Sequence, residues 1–539
     1  MDANSAASES ILTRVRNTVG ILSESGMLNP GFLLATVGSA RHWGMTMITG
    51  FAASAARRPS AVGLMDDLGS LTFGEIHNRT NAIAHGLTAA GLRPRQGVGI
   101  LCRNHRGFVE ATVGAMKAGG DALFLNTGFA GPQLGEVLDR EGTDIIIYDE
   151  EFAELVEEHG GKRQRILAWQ EGATAEPTLE SLIKTNSFAD PTPPEKPARA
   201  TILTSGTTGT PKGARREKQS AGLGALVGIL ELLPLRVEAT TVIAAPTFHA
   251  WGLAHLLMGA TLSSTLVMRR KFDPEGTLAA IQESRAQNLA VVPVMMQRIL
   301  ALPLATIKKY DTSTLRVVAA SGSALPGELA LRWMDTFGDN LHNFYGSTEV
   351  AQASIATPKD LREAPGTAGR PPKGTTVRIL DNDGKPVPVG VTGRIFVGNN
   401  GQFDGYTGGG GKQIIDGLMS IGDVGHFDAE GRLYVEGRDD EMIISGGENV
   451  FPIEVENLLA DHPAIADVGV IGVADEEFGQ RLKAFVVLRP GQQLGEEAAK
   501  DYVKSHLARY KVPREVVFLD EIPRNATGKV LKRVLKEWK

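Results

Sequence analysis

The sequence predicts an α/β protein whose large N-terminal domain carries two doubly wound α/β subdomains and a small β-barrel unit. Apolar runs alternate with helical periodicity from Leu71 onward, which is typical of a mainly parallel sheet covered on both faces. Residues 369–434 change to short alternating strands with frequent glycine, and this texture predicts the barrel-like unit. Residues 437–539 have their own strand–helix–strand pattern, so we expect a small α+β C-terminal domain there and an N-terminal domain at 1–436.

Each predicted element follows from its local pattern. In the first subdomain we expect helices at residues 73–91, 108–118 and 133–141, and strands at 97–102, 121–125, 144–148 and 200–204. A second run of α/β units covers about 240–345, and the C-terminal domain has predicted strands at 468–473, 483–488 and 516–518 and a helix at 496–507. Residues 27–56 predict a packed N-terminal helix, with contact to a membrane surface as the alternative. No run reaches the roughly 18 apolar residues of a membrane span.

Composition and charge exclude several classes of protein. The 539 residues are 42% hydrophobic and 22% charged, a globular mixture that excludes global disorder. The 56 lysines and arginines against 62 aspartates and glutamates give a net charge of −6, which provides no overall attraction to nucleic acid. The single cysteine, Cys102, excludes an internal disulfide and a multi-cysteine zinc site. The polar start and the C-terminal LKEWK carry no targeting signal, so we expect a cytoplasmic protein.

The sharpest motif is TSGTTGTPKG at residues 204–213, directly after a predicted strand. Its glycines leave backbone N–H groups free, its threonines and serine add hydroxyls, and Lys212 adds charge, which together suit the oxygens of a phosphate. It is not a Walker A loop, because no serine or threonine follows the lysine. An ordinary Gly/Thr turn is the alternative interpretation.

Two further motifs suit other parts of a nucleotide. NFYGSTE at residues 343–349 offers the ring of Tyr345 to a base and a hard oxygen of Glu349 to Mg²⁺. In SIGDVGHFD at 420–428, Asp423 can accept hydrogen bonds from two ribose hydroxyls. A buried tyrosine, a surface glutamate and a turn-capping aspartate are the structural alternatives.

Three more segments carry a charge or an imidazole. GRDDEMIISGGENVFP at residues 437–452 combines a cation, two acids and a Gly–Gly turn, and PRNATGKVLK at 523–532 puts Lys529 near the mobile chain end. His249 precedes Trp251 and an apolar run, which indicates a hydrophobic pocket or, alternatively, a core helix. A lone histidine is usually structural, and His255 does not complete a metal-binding pair.

Together and in this order, the motifs resemble those of the adenylate-forming superfamily of acyl-CoA synthetases, peptide-synthetase adenylation domains and firefly-type luciferases. The resemblance spans about residues 70–539 and rests on TSGTTGTPKG, YGSTE, SIGD, GRDDEMIISGGEN and NATGK. It implies that a carboxylate attacks the α-phosphorus of Mg·ATP to give an acyl-adenylate and pyrophosphate, and that a thiol then attacks the adenylate. It also implies a mobile C-terminal domain that rotates between the two steps.

The resemblance assigns roles position by position. The catalytic residues it implies are Lys529, which bridges the carboxylate and the α-phosphate, Glu349 as the magnesium ligand, Thr348 at the α-phosphate and His249 beside the acyl pocket. The residues implied to bind ATP or CoA are Thr204, Ser205, Gly206, Thr207, Thr208, Gly209 and Lys212 at the phosphates, Gly322, Ser323, Ala324, Tyr345 and Gly346 near adenine, Asp423 and Arg438 at the ribose, and Gly446 and Gly447 along the pantetheine tunnel. Asp440 is implied to be the hinge.

The expected activity is a CoA ligase that acts on a medium- or long-chain fatty acid, with ATP, Mg²⁺ and CoA. The sequence ends soon after NATGK, so we expect no attached carrier domain, and residues 249–258 contain no acid to pair with the ammonium group of an amino acid. An aryl-acid CoA ligase and an acyl-AMP ligase that loads a separate carrier protein are the alternatives. A luciferase-like oxygenase is a third, against which the missing peroxisomal signal counts. The partner hypotheses are N-terminal membrane contact and a homodimer, without nucleic acid.

Overall fold

The structure is a computed structural model that describes residues 11–203, 211–215, 222–445, 448–475, 479–525 and 528–538. In these residues the helices are α1 Ile11–Glu24, α2 Pro30–Trp43, α3 Met47–Arg57, α4 Phe73–Ala89, α5 Arg106–Lys117, α6 Gly131–Arg140, α7 Ala153–His159, α8 Leu179–Thr185, α9 Gly222–Leu232, α10 Ala250–Thr261, α11 Pro274–Ser284, α12 Pro293–Leu300, α13 Leu304–Ile307, α14 Gly327–Phe337, α15 Pro358–Glu363, α16 Pro452–Ala460, α17 Glu496–His506 and α18 Lys532–Lys536.

The strands of the same residues are β1 Val62–Asp66, β2 Gly69–Thr72, β3 Gly97–Leu101, β4 Asp121–Phe124, β5 Thr143–Asp149, β6 Gln164–Trp169, β7 Ala200–Leu203, β8 Gly213–Arg215, β9 Thr241–Ile243, β10 Leu266–Met268, β11 Asn288–Val291, β12 Val317–Ala320, β13 Leu341–Tyr345, β14 Ser354–Ala356, β15 Thr376–Leu380, β16 Gly393–Gly398, β17 Gly405–Tyr406, β18 Ile414–Ile415, β19 Leu418–Phe427, β20 Leu433–Arg438, β21 Ile443–Ser445, β22 Glu448–Val450, β23 Ile465–Asp475, β24 Gly479–Leu488 and β25 Glu515–Phe518. The predicted elements of the first subdomain and of the C-terminal segment lie at these positions, with ends that differ by a few residues.

The first α/β subdomain is built on a sheet in the order β17–β8–β7–β4–β3–β5–β6. The strands from β7 to β6 are parallel, and β8 and β17 add an antiparallel edge. Ile145 and Ile147 of β5 point into a core shared with α4 and α5, whereas Ile146 and Tyr148 point into a core with α6 and α7. Because both faces are covered, the strand is apolar at every position rather than at alternate ones.

The second subdomain is built on a sheet in the order β14–β13–β12–β11–β9–β10–β1–β2, parallel from β13 to β1. One face packs on the core that it shares with the first sheet, and the other face is covered by α9, α11, α12 and α14. Two doubly wound sheets therefore share one internal helical layer, as the fold class predicts. The carboxyl ends of parallel strands are where an α/β sheet places its ligand site.

The β unit is a five-stranded antiparallel sheet in the order β15–β16–β19–β18, with β20 paired to β19. Bulges at Arg394/Phe396 and at Val424/Gly425 bend it. This bent sheet lies where the barrel-like unit was expected, although the strand pairs found in the described residues do not close it completely. Strand β20 pairs with β19 and, through an isolated antiparallel bridge at Leu433, with Gly369, and no pair among these residues joins it to β15.

The C-terminal unit has its own sheet, in the order β22–β21–β24–β23 with β25 parallel to β24. Helices α16 and α17 cover it around a core that includes Val455, Leu459 and Val503. The chain passes from the β unit to this sheet between Arg438 and Ile443. The division at residues 436/437 stays a prediction.

The N-terminal segment contains two packed helices rather than the one expected over residues 27–56. Gly44 adopts a positive φ of 69° at the end of α2, which suits a residue without Cβ, and Thr46 caps α3 with Thr49 in a reciprocal capping box. Phe32 and Trp43 of α2 are buried against the two large cores. In the described residues, every helix is too short or too polar to cross a membrane.

Candidate active site

Tyr345, Asp423 and Arg438 form a hydrogen-bonded group where β13 meets the β unit. Asp423 and Arg438 are register partners on β19 and β20, and the Arg438 guanidinium lies 3.2 Å from the Asp423 carboxylate. The Tyr345 hydroxyl donates a hydrogen bond of 2.5 Å to the other Asp423 oxygen. Burial raises the pKa of Asp423, and the charge of Arg438 offsets part of that rise. The group therefore fixes a carboxylate that can accept hydrogen bonds from a ribose.

Glu349 lies a short distance along the chain from β13 and is held by the segment that leads into β17. The Tyr406 hydroxyl donates a hydrogen bond of 2.7 Å to Glu349 Oε1, and the Phe403 N–H donates one of 2.7 Å to the Glu349 carbonyl. Burial and this hydrogen bond raise the pKa of Tyr406, so the phenol remains a donor. The Glu349 carboxylate is buried and anchored through one oxygen. Oxygen donors of this kind are the ligands that Mg²⁺ prefers.

The motif at residues 204–213, which is predicted to bind phosphate, is described only at its end. Thr204, Ser205, Gly206, Thr207, Thr208 and Gly209 lie outside the described residues. Lys212 is exposed, and its ammonium lies 5.7 Å from the centre of the Tyr406 ring, within cation–π range. The strand after it, β8, pairs with β17 so that Ala214 lies opposite Tyr406. The end of the motif is thereby adjacent to the residue that holds Glu349.

Two turns after parallel strands carry the residues expected near adenine. Gly322 follows β12 with a positive φ of 96°, and Ser323 and Ala324 come directly after it. At Gly346 a Cβ atom would lie 2.2 Å from the Ala351 carbonyl oxygen, so only glycine fits there. Thr348 lies half-buried in the same turn as Glu349.

His249 caps the start of α10 on another side of this site. Its Nε2 is buried without a hydrogen-bond partner among the described residues. Burial, with a smaller effect of the nearby Lys529 charge, lowers the pKa of His249 to about 3, so the ring is neutral. Trp251 donates a hydrogen bond of 3.0 Å to the Val291 carbonyl and packs 4.9 Å from the Phe344 ring. His249 thus has an unpaired nitrogen among the described residues, and Trp251, two residues further along the chain, belongs to an anchored aromatic pair.

Lys529 comes from the C-terminal unit and lies among these groups. Desolvation by the surrounding protein, more than any single charge, lowers the pKa of Lys529. The side chain nevertheless keeps an exposed surface in the cleft. The carboxylates of Asp423 and Glu349 act in the opposite direction, which shows that they are near. Asn525 holds the backbone of Lys529 through two hydrogen bonds of 2.9 Å.

The remaining predicted residues are described in part. Asp440 lies in a 3₁₀ turn, Asp439–Glu441, on the connection between the β unit and the C-terminal sheet. Gly446 and Gly447 lie outside the described residues. The structure thus brings most of the predicted residues into one region between the large unit and the C-terminal unit, which is called the cleft below. These residues are Lys529, Glu349, Asp423, Arg438, Tyr345, His249 and Lys212. Asp440 lies on the connection between the two units.

Sequence reasoning missed Tyr406. This residue contacts both Glu349 and Lys212, yet in the sequence it is only the last residue of the two-residue strand β17, just before the glycine run at 408–411. The glycine run itself was interpretable only as a flexible loop. A tyrosine at a strand end has no pattern that distinguishes it from a core residue, so the signal available was its position alone.

Comparisons with known proteins agree with this architecture. Residues 51–407 match the family described as AMP-binding enzyme, and residues 454–529 match the AMP-binding enzyme C-terminal domain. The chain is 33% identical to a feruloyl-CoA synthase of an Amycolatopsis species, over 88% of this chain and 95% of the relative. It is 30% identical to the fatty acid–[acyl-carrier-protein] ligase ScoC of Streptomyces coeruleorubidus, over 90% and 94%.

A solved structure has the same fold over nearly the whole length. The anthranilate CoA ligase AuaEII, in complex with anthranoyl-AMP, superposes with a TM-score of 0.83 at 25% identity and covers 91% of this chain and 96% of that one. The large N-terminal part and the smaller C-terminal unit both take part in the match. The chain therefore belongs to the AMP-binding enzymes of the adenylate-forming superfamily.

Proposed function

We propose that the protein joins a hydrophobic carboxylic acid to CoA through an acyl-AMP intermediate, at the expense of ATP. The observation that carries this proposal is that the turn before Lys529 packs on the large unit, where a Cβ on Gly528 would lie 2.5 Å from Val294, and that the Lys529 charge interacts with Glu349, Asp423 and His249. A cation at that point can neutralise the entering carboxylate and the α-phosphate together. Preorganised charge of this kind is usually the largest contribution to catalysis.

In the first step a carboxylate oxygen forms a bond to the α-phosphorus, and the bond to the bridging oxygen of pyrophosphate breaks. Lys529 holds the attacking carboxylate and the α-phosphate, with Thr348 beside the phosphate, while Asp423 and Arg438 orient the ribose. The residues near Tyr345, which are Gly322, Ser323, Ala324 and Gly346, enclose the adenine, and residues 204–209 with Lys212 bind the outer phosphates. His249, neutral and with an unpaired nitrogen, lines the acid's entry.

The Glu349 carboxylate fits Mg²⁺. A magnesium ion typically takes one or two carboxylates together with substrate phosphates, and Tyr406 engages only Oε1. Bound magnesium supplies positive charge at the phosphates. The chain's own contribution is an anchored and buried anion next to the end of the phosphate motif.

In the second step the thiol of CoA attacks the acyl carbon, and AMP leaves. We propose Asp440 as the hinge about which the C-terminal unit turns, and Gly446 and Gly447 as the lining of the pantetheine tunnel. Asp440 suits that role because it lies in a short turn between two sheets, where few backbone angles can redirect the whole unit.

Two classes of hydrophobic acid are proposed in turn. Aromatic acids are favoured because Trp251, two residues after His249, is held by its hydrogen bond to Val291 and packs against Phe344, so aromatic rings lie close in the chain to the proposed acid site. The feruloyl-CoA synthase and the anthranilate CoA ligase found by comparison are both named for aromatic acids. The medium- or long-chain fatty acid expected from the sequence stays a prediction.

The second candidate function is an acyl-AMP ligase that passes the acid to a separate carrier protein. The similarity to a fatty acid–[acyl-carrier-protein] ligase favours it. The two functions share the first step and differ in the acceptor thiol. They are therefore separated by the product that forms when CoA is supplied without a carrier.

A survey of products by mass spectrometry tests these proposals. The protein would be incubated with Mg·ATP and aromatic, short-, medium- and long-chain acids, with and without CoA, and with Lys529→Ala as the inactive control. Acyl-CoA with AMP from aromatic acids is the expected result. Acyl-adenylate that persists in the presence of CoA would favour the carrier-protein function, and failure to form any adenylate would contradict the proposal.

We also propose peripheral membrane contact through the outer side of α2. Leu33, Leu34 and Val37 are exposed there, and residues 25–65 contain no aspartate or glutamate, which suits an anionic lipid surface. Flotation with vesicles that contain phosphatidylglycerol tests this. Leu34→Glu should abolish binding, whereas Leu304→Glu, an exposed leucine elsewhere, should not. Absence of wild-type binding would contradict it. A homodimer and a cytoplasmic location stay predictions.

A further inference from the structure

The segment from Phe403 to Thr407 encloses Glu349 with contacts from both backbone and side chain. The Phe403 N–H donates to the Glu349 carbonyl at 2.7 Å, and the Tyr406 hydroxyl donates to Glu349 Oε1 at 2.7 Å. The Phe403 and Tyr406 rings pack edge to face with centroids 4.8 Å apart, so the phenol has a fixed direction. One segment thus positions both the backbone and the carboxylate of Glu349.

The same segment is fastened to the residues that end the phosphate motif. Thr407 accepts a hydrogen bond of 2.9 Å from the Gly213 N–H at its hydroxyl and donates its own N–H to the Gly213 carbonyl at 2.8 Å. The Thr407 hydroxyl in turn donates to Glu141 at 2.5 Å. The Lys212 ammonium lies over the Tyr406 ring, on the side of the motif. Tyr406 is therefore in contact with a residue of the phosphate motif and with the proposed metal ligand.

We infer that Tyr406 is a positioning residue. It orients the Glu349 carboxylate for the cation of the nucleotide and fixes the position of that carboxylate relative to the phosphate motif. Its hydroxyl restricts Glu349 to one rotamer and leaves Oε2 for a cation, because Oε2 receives no hydrogen bond from the part of the chain that the structure describes. Its ring keeps Lys212 at a defined separation from that carboxylate. This inference rests on the proposed function, in which Glu349 binds Mg²⁺.

The substitution Tyr406→Phe removes the hydroxyl and keeps the ring that contacts Lys212 and Phe403. We expect it to weaken binding of α,β-methylene-ATP about tenfold in Mg²⁺, the size of one lost hydrogen bond to a charged group, and to leave binding in EDTA unchanged. Isothermal titration calorimetry measures both affinities without any turnover. Tyr310→Phe is the matched control, because Tyr310 donates a hydrogen bond of 2.8 Å to Glu275 far from the cleft.

A double variant separates action through Glu349 from a general effect of Tyr406→Phe on folding. In a Glu349→Gln background, Tyr406→Phe should cause no further loss in Mg²⁺, because the two residues act through one carboxylate. Equal loss with Mg²⁺ and with EDTA, or additive losses in the double variant, would overturn the inference. If the wild-type protein binds more tightly in Mg²⁺ and Tyr406→Phe binds equally well, the inference about Tyr406 would be overturned but the proposed role of Glu349 would not. A wild-type affinity independent of Mg²⁺ would overturn both it and the proposed role of Glu349.

Discussion

The two sides of the cleft are built differently. On the large unit, Asp423, Tyr345 and Glu349 lie on or next to strands, and each is held by a side-chain hydrogen bond to a neighbour. On the C-terminal unit, Lys529 lies on a short exposed turn whose backbone is tied to Asn525. Groups fixed on strands suit a ligand that is present in both steps, whereas a group on a turn that can leave suits a role in one step only.

The largest expected effect comes from removing the charge of Lys529, which lies on the turn of the C-terminal unit. Lys529→Ala should slow acyl-adenylate formation by about 10²- to 10³-fold, because it removes the charge proposed to bridge the carboxylate and the α-phosphate. It should leave thioester formation from supplied acyl-adenylate nearly unchanged. Single-turnover assays of the two half-reactions measure this, with Lys536→Ala in α18 as the exposed-lysine control. Equal losses in both half-reactions would contradict the assignment.

Substitutions on the large unit, where the residues lie on or next to strands, should impair both half-reactions rather than one. Asp423→Asn should weaken ATP binding by about tenfold or more and impair both half-reactions, because it removes the charge that Arg438 and the Tyr345 hydroxyl hold in place. Titration calorimetry with ATP and with AMP measures the loss. Asp383→Asn, in an exposed loop of the β unit, is the control. An Asp423→Asn variant that impairs only adenylation would erase the distinction between the two sides.

The same difference explains what the sequence could predict. The strand-mounted residues come in compact motifs, so Tyr345, Glu349 and Asp423 were recognisable, and the continuous apolar run at Ile145–Ile147 predicted a strand covered on both faces. Their mutual distances depend on how separate sheets pack, which no local pattern contains. Tyr406 escaped prediction for that reason, since its contacts with Glu349 and Lys212 join segments far apart in the chain.

Two other differences from the prediction have local physical causes. Residues 27–56 form two helices because Gly44 takes a positive φ and Thr46 starts a new cap, and a glycine in an apolar run does not reveal its φ beforehand. The β unit is not fully closed because no strand pair found in the described residues joins β20 to β15, and closure of a sheet is a property of strand order rather than of alternation.

A smaller effect is expected at the connection between the two sides. Asp440→Pro should spare adenylation and slow thioester formation by about tenfold, because proline fixes φ and restricts the preceding residue in the turn Asp439–Glu441. Rates of the two half-reactions measured separately check this. Replacement of Asp383 by proline, in a loop away from the connection, is the control. An unchanged second step would count against a hinge at Asp440.

The smallest effect is in the pH dependence of the two steps. Burial in the cleft lowers the pKa of Lys529, so the ammonium that we propose acts in adenylation is lost at a lower pH than for a free lysine as the pH rises. His249, with a pKa of about 3, stays neutral from pH 5 upward and adds no inflection. We therefore expect adenylation to decline on the alkaline side before thioester formation does, because Lys529 is needed only for the first step. The pH profiles of both half-reactions, with Lys529→Ala for comparison, test this. If the rates of both half-reactions decline together at alkaline pH, also in Lys529→Ala, another group must titrate. Lys529 would then not be the residue that separates the two steps.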